Sequence, residues 1–162
     1  MSYWVMSNIS FKVDEGYMGV QEIQALVGRT VSFKDRLDGV DYTINCLPQG
    51  SEQTLNIVVE KTSKQYTKFR VCGGLRDRYD TEDIEEWIQK LIERNEDKKR
   101  NHDLPLILEI KGFARADSSE PVRFNYKYEF SKSEKLERAV WPIRWRYYVV
   151  SMVIWEFFHS LK

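Results

Sequence analysis

The sequence carries no excess charge, almost no cysteine or histidine, and no long apolar run. Each shortage removes a class of function. With 25 Lys+Arg against 25 Asp+Glu the formal net charge is zero, which disfavours both a wholesale basic nucleic-acid binder and an acidic nucleic-acid mimic. Two cysteines, Cys46 and Cys72, cannot by themselves build a disulfide framework or a four-ligand zinc site. In a reducing cytosol, the expected compartment, both are expected as buried thiols. The longest apolar stretch, Tyr147–Phe158, is interrupted by Ser151 and Glu156 and falls short of the roughly 20 apolar residues that a membrane span needs. The opening MSYWVMSNIS has no basic region followed by an apolar stretch, so no secretory signal is expected.

Only two histidines are present, His102 and His159, which leaves few candidates for a general base near neutral pH. His102-Asp103 resembles the His-Asp pairs of metal-dependent phosphohydrolases, but those sites need further His and Asp ligands that the chain lacks; an exposed loop is the expectation. His159 is expected to meet the last carbonyls of a terminal helix.

What is present is apolar mass in short periodic pieces. Hydrophobic residues make up 42% of the 162, with 5 Trp, 9 Tyr and 8 Phe, too much for disorder and enough for one core. In 3–13, Tyr3, Val5, Ile9, Phe11 and Val13 alternate with Asn8, Ser10 and Lys12, predicting a half-buried strand. Trp4 and Met6 interrupt the polar face, which points to cover on both sides at that end. Val20–Val27 predicts a short helix with Val20, Ile23 and Val27 on one side. Arg29–Asp35 and Val40–Cys46 flank Asp38-Gly39, a hairpin pair suited to positive φ at both central positions. Gln53–Glu60 and Gln65–Cys72 predict two more strands joined through Lys61–Lys64, the second ended by Gly73-Gly74. Thr81–Glu96 carries Ile84, Trp87, Ile88, Leu91 and Ile92 as one helical stripe, with Asp80 or Thr81 as cap, carboxylates in the first turns and Lys98, Lys99 and Arg100 past the far end. Leu106, Leu108 and Ile110 alternate within 104–111, and 122–130 sets Phe124, Tyr126, Tyr128 and Phe130 against Arg123, Asn125, Lys127 and Glu129. Residues 131–139 read as a short polar helix, and 143–161 as a helix that is apolar over most of its circumference.

The predicted fold class is α+β: a single domain over 1–162, mainly antiparallel sheet, with one long amphipathic helix and an apolar C-terminal helix packed against it. That last helix is expected to be buried in the core or to serve as a homodimer interface.

No motif identifies a reaction. Cys46 and Cys72 have no histidine nearby in sequence, and Gly73-Gly74-Leu75-Arg76-Asp77-Arg78 lacks P-loop spacing and runs into an acidic helix start that would repel phosphate. Asp77, Asp80, Glu82 and Asp83 lack the spacing of an EF-hand. No catalytic, cofactor-binding or metal-ligating residue is assigned, and no cofactor is expected. The best candidate interaction surface is Trp141, Arg144, Trp145, Arg146, Tyr147 and Tyr148, where cations alternate with rings. The expected function is a non-enzymatic protein-binding module, of the kind small bacterial or phage inhibitor and immunity proteins use to neutralise a partner by occluding its surface. The alternative is a nucleic-acid-binding accessory protein working through the basic and aromatic C-terminal third.

Overall fold

The computed structural model describes residues 2–34, 39, 41–101, 105–117 and 119–130. The chain divides into two compact units, Met1–Lys127 and Tyr128–Lys162. In the second, Tyr128–Phe130 are described, with Tyr128 and Phe130 meeting edge to face at 4.7 Å. The helices expected over 131–139 and 143–161 lie outside the described residues.

The first unit runs β1 (Trp4–Val13), α1 (Val20–Val27), β2 (Arg29–Lys34), β3 (Asp41–Cys46), β4 (Asn56–Thr62), β5 (Thr67–Arg76), α2 (Glu82–Asn101), β6 (Ile107–Ala116) and β7 (Val122–Lys127). Five strands form one sheet in the order β4-β5-β1-β6-β7, every neighbouring pair antiparallel, while β2 and β3 pair only with each other. The mainly antiparallel sheet with helices is therefore as the periodicities predict. The chain's first strand occupies the centre of the sheet.

Alternation decides what each strand buries. Val5, Ile9, Phe11 and Val13 of β1 are buried, and so are their cross-strand partners Leu75, Val71, Phe69 and Thr67 of β5. Phe11 stacks on Phe69 with ring centres 5.0 Å apart, and Trp87 of α2 lies tilted against Phe11 at 6.0 Å. Phe124 and Tyr126 of β7 pack against this core, as their alternation requires. Met6 departs from expectation: it is half exposed, so the start of β1 is not covered on both sides. Val20 is also exposed, leaving Ile23 and Val27 as the buried residues of α1.

Several boundaries differ from the sequence prediction, β4, β6 and β7 covering Asn56–Thr62, Ile107–Ala116 and Val122–Lys127 against the expected 53–60, 104–111 and 122–130, and three departures have clear physical reasons. β5 does not end at Gly73-Gly74 but runs through them to Arg76, because β1 continues to pair there, Ser7 with Gly73 and Met6 with Gly74. Gly73 has φ 139, and a Cβ on Gly74 would stand 2.8 Å from Met6 Sδ and 3.2 Å from the Trp4 ring. The glycines thus admit side chains onto the sheet instead of stopping it. In β6, Lys12 pairs with Glu109 but Val13 pairs with Ile107, making Leu108 the extra residue of a bulge. Ile107, not Leu108, therefore joins Ile110 in the core. α2 runs on to Asn101, so Lys98 and its two successors sit in its last turn and not beyond it.

The helices are tied in by polar contacts that the apolar stripe did not reveal. The Glu82 N–H donates to Asp80 Oδ1 at 3.1 Å, and the Thr81 carbonyl accepts from Ile84 and Glu85, closing the start of α2. The carbonyls left over at the buried end of α1 are satisfied by α2: Trp87 Nε1 donates to the Val27 carbonyl and Arg94 Nη2 to that of Gly28. Buried Asn95 acts as a substitute strand neighbour. Its amide donates to the Ile107 carbonyl at 3.0 Å and accepts from the Ile107 N–H at 2.7 Å. It also donates to the Tyr126 hydroxyl, which in turn donates to Glu96 Oε1 at 2.7 Å.

Candidate nucleic-acid interface

The sheet has two unlike faces. One carries the core and the helices. The other, here the outer face, collects the positions between the buried ones, and strand register identifies them. β1 contributes Trp4, Met6, Asn8, Ser10 and Lys12; β5 contributes Lys68, Arg70, Cys72, Gly74 and Arg76. From β6 come Glu109, Lys111, Phe113 and Arg115, and from β7 Arg123, Asn125 and Lys127. β4 adds Asn56, Val58 and Lys61, with Glu60 as its irregular residue.

Nine of these residues are Lys or Arg, and two, Glu60 and Glu109, are carboxylates. A chain of zero net charge has therefore gathered a strongly positive field on one surface. Two of the arginines are neutralised: Arg70 pairs with Glu60 at 2.7 Å and Arg76 with Glu52 at 2.6 Å. Glu52 also holds the Arg76 guanidinium above its ordinary pKa. Lys12, Lys61, Lys68, Lys111, Arg115, Arg123 and Lys127 have no carboxylate at ion-pair distance among the described residues.

Some of these cations are forced together by register. Lys12 lies directly opposite Lys68, which lies directly opposite Lys61. Like charges in directly opposed positions destabilise a sheet by some tenths of a kcal/mol, up to about 1. The Tyr66 ring sits among them, with Lys12 Nζ 4.8 Å and Lys61 Nζ 5.6 Å from its centre. A hydrogen bond with Lys61, helped by the charges of Lys61, Lys68 and Lys12, holds the Tyr66 phenol below its usual pKa. The same hydrogen bond raises Lys61.

Rings share the surface with the cations. Phe113 is 36% exposed, lies between Asn8 and Arg123 across the strands, and has Lys111 and Arg115 two residues away along β6. The Trp4 ring lies over Gly74. Cations interleaved with rings on an open sheet have the chemistry to bind phosphates and stack bases.

Of the residues singled out from the sequence, Cys72, Gly74 and Arg76 stand on this face. Trp141, Arg144, Trp145, Arg146, Tyr147 and Tyr148 lie outside the described residues, as do His102, Asp103 and His159. Asp77, Asp80, Glu82 and Asp83 are spread over separate local roles: Asp77 accepts from the Ser51 hydroxyl at 2.6 Å, Asp80 caps α2, and Asp83 pairs with Arg78 at 2.6 Å. Among the described residues no group of three or more His, Cys, Asp or Glu could hold a metal ion, and no helix is long and apolar enough to cross a membrane. Cys46 and Cys72 are half-buried rather than buried. Cys46 Sγ meets the Arg29 carbonyl at 3.6 Å, and Cys72 stands on the outer face between Asn56 and Asn8.

Lys12, Lys68, Arg70, Lys111, Arg123 and Lys127 lie within strands the sequence predicts, whereas Lys61, Arg76 and Arg115 join the face only because β4, β5 and β6 run past their predicted ends. The signal that could have found the surface is the sum of the strands' polar halves, which requires knowing which strands are neighbours. No protein-family model, curated protein or solved structure matches this chain.

Proposed function

We propose that the protein is a non-enzymatic binding module that holds nucleic acid on the outer face of its five-stranded sheet. One observation carries this reading: nine cations against two carboxylates on one face of a neutral chain, seven of those cations without an ion-pair partner among the described residues. Folding gains nothing from Lys12 facing Lys68, whereas a polyanion laid across them releases its condensed counterions and binds. The interleaved rings favour nucleic acid over a featureless polyanion, because bases offer π-faces that Phe113 and Trp4 can meet.

The test is fluorescence anisotropy of a labelled oligonucleotide with the full chain across a salt series. Binding is expected to weaken linearly in log[salt], with a slope of about −0.7 to −0.9 per phosphate contacted. The double reversal Lys111→Glu/Arg123→Glu should cost at least about tenfold in affinity at low salt. Absence of binding at low salt, or binding indifferent to both salt and the reversal, would overturn the proposal.

A second reading rests on a different observation. Val31 and Ile44 face each other across the β2–β3 hairpin and are 40% and 50% exposed, an apolar contact point for a protein partner. That reading keeps the surface-occluding inhibitor expected from the sequence, and it gains if the anisotropy experiment fails.

A further inference from the structure

The outer face is not uniform, and its asymmetry says more about the ligand. On the β5 side Arg70 and Arg76 are already held by Glu60 and Glu52. On the β6–β7 side Lys111, Arg115 and Arg123 are exposed, and Arg115 Nε donates to the Ser119 carbonyl at 3.1 Å. Phe113 stands in their midst, with Lys111 and Arg115 each about 6.8 Å along the strand and Arg123 directly opposite. A base stacked on this ring would place its two flanking phosphates toward the two cations of the same strand.

The width of the face does not fit the major groove of a duplex. Five strands at about 4.8 Å spacing present a surface about 19 Å wide, whereas the major groove of B-DNA, about 12 Å wide, admits a helix or a two-stranded ribbon. Phe113 lies inside the face, between Asn8 and Arg123, and does not project from an edge as an intercalating wedge would. Paired bases, stacked above and below, have no free face to offer it.

Resting on the reading proposed above, we infer that the ligand is a single strand laid along β6–β7, one base stacked on Phe113 and the adjoining phosphates held by Lys111, Arg115 and Arg123. Sequence preference is expected to be weak, because stacking accepts every base.

The experiment compares oligodeoxyuridylate, oligouridylate and a duplex as anisotropy probes for wild type, Phe113→Ala, Phe113→Trp and Lys111→Glu/Arg123→Glu, with circular dichroism confirming each fold. Expected are single strands binding at least about tenfold tighter than duplex, a loss of about 5- to 150-fold in Phe113→Ala, and affinity retained in Phe113→Trp with extra indole quenching on binding. Oligodeoxyuridylate against oligouridylate, which differ in the sugar alone, decides whether a 2′-hydroxyl is read; equal affinity means that the face holds phosphate and base alone. Duplex binding as tight as single strand, or Phe113→Ala binding like wild type while the double reversal still weakens affinity, would overturn the stacked single strand and leave the polyanion reading standing. Absence of binding to all three probes would overturn both.

Discussion

Asn95 offers the sharpest test of how the helix layer is held. It is 2% exposed, and its single amide serves both backbone groups of Ile107. Replacing it by Ala leaves a buried N–H and a buried carbonyl without partners, at about 1–3 kcal/mol each. The adjoining cleft, about 80 Å³ and lined by Leu26, Leu91 and Lys98 among others, has room for a water to recover part of that loss. A net destabilisation of about 3 kcal/mol follows. In urea, with m of about 2 kcal/mol/M, the unfolding midpoint should fall by about 1.5 M while m stays constant. Asn95→Leu is the discriminating control: it restores volume but no hydrogen bond, so it should remain at least half as destabilised. Asn95→Asp keeps an acceptor for the Ile107 N–H, loses both donors and brings a second carboxylate near Glu96, so it should not rescue either. Asn95→Ala within about 0.5 kcal/mol of wild type, or Asn95→Leu as stable as wild type, would refute the backbone-pairing role.

Two further outcomes are expected. Trp87, 1% exposed and bonded to the Val27 carbonyl, should cost about 3–5 kcal/mol when replaced by Ala; an unchanged thermal midpoint would contradict its place at the centre of the core. In alkaline absorbance titration Tyr66 should ionise early, because Lys61 bonds its phenol, and Tyr126 late, because burial pushes its pKa up to about 12. Tyr66→Phe should remove the early component and Tyr126→Phe the late one. Since the folded state keeps the Tyr126 proton that the unfolded chain loses near pH 10, the associated stability is whole below about pH 10 and declines as pH rises toward 12. Tyr126→Phe should flatten that decline.

Local periodicity made most elements legible. β1, α1 and the β2–β3 hairpin begin and end near the predicted residues, because alternation and turn chemistry act over a few residues at a time, while β7 starts at the predicted Val122 but ends at Lys127. Gly39 has the positive φ, 70, that its turn was expected to need. Misplaced boundaries trace to partners distant in sequence. β5 passes through Gly73-Gly74 because β1 pairs with it there, and Leu108 leaves the core because β6 bulges against Val13. Asn95 looked like one more polar residue past the apolar stripe, and only its contact with Ile107 reveals its role.

The sequence alone was enough to assign the two faces of most strands, since side chains alternate whatever the neighbours are, β6 being the exception because its bulge shifts the alternation, and to show the apolar stripe by which α2 docks. It also set the net charge at zero, a sum that pointed away from nucleic acid. How that charge is distributed follows from the folded arrangement. Placing β1 between β5 and β6 sets the polar halves of separate strands side by side, so Lys12, Lys68, Lys111 and Arg123 come to share one surface although they are far apart along the chain. Electrostatic potential depends on where charges lie and not on their total, and for this protein strand order is what supplies the positions.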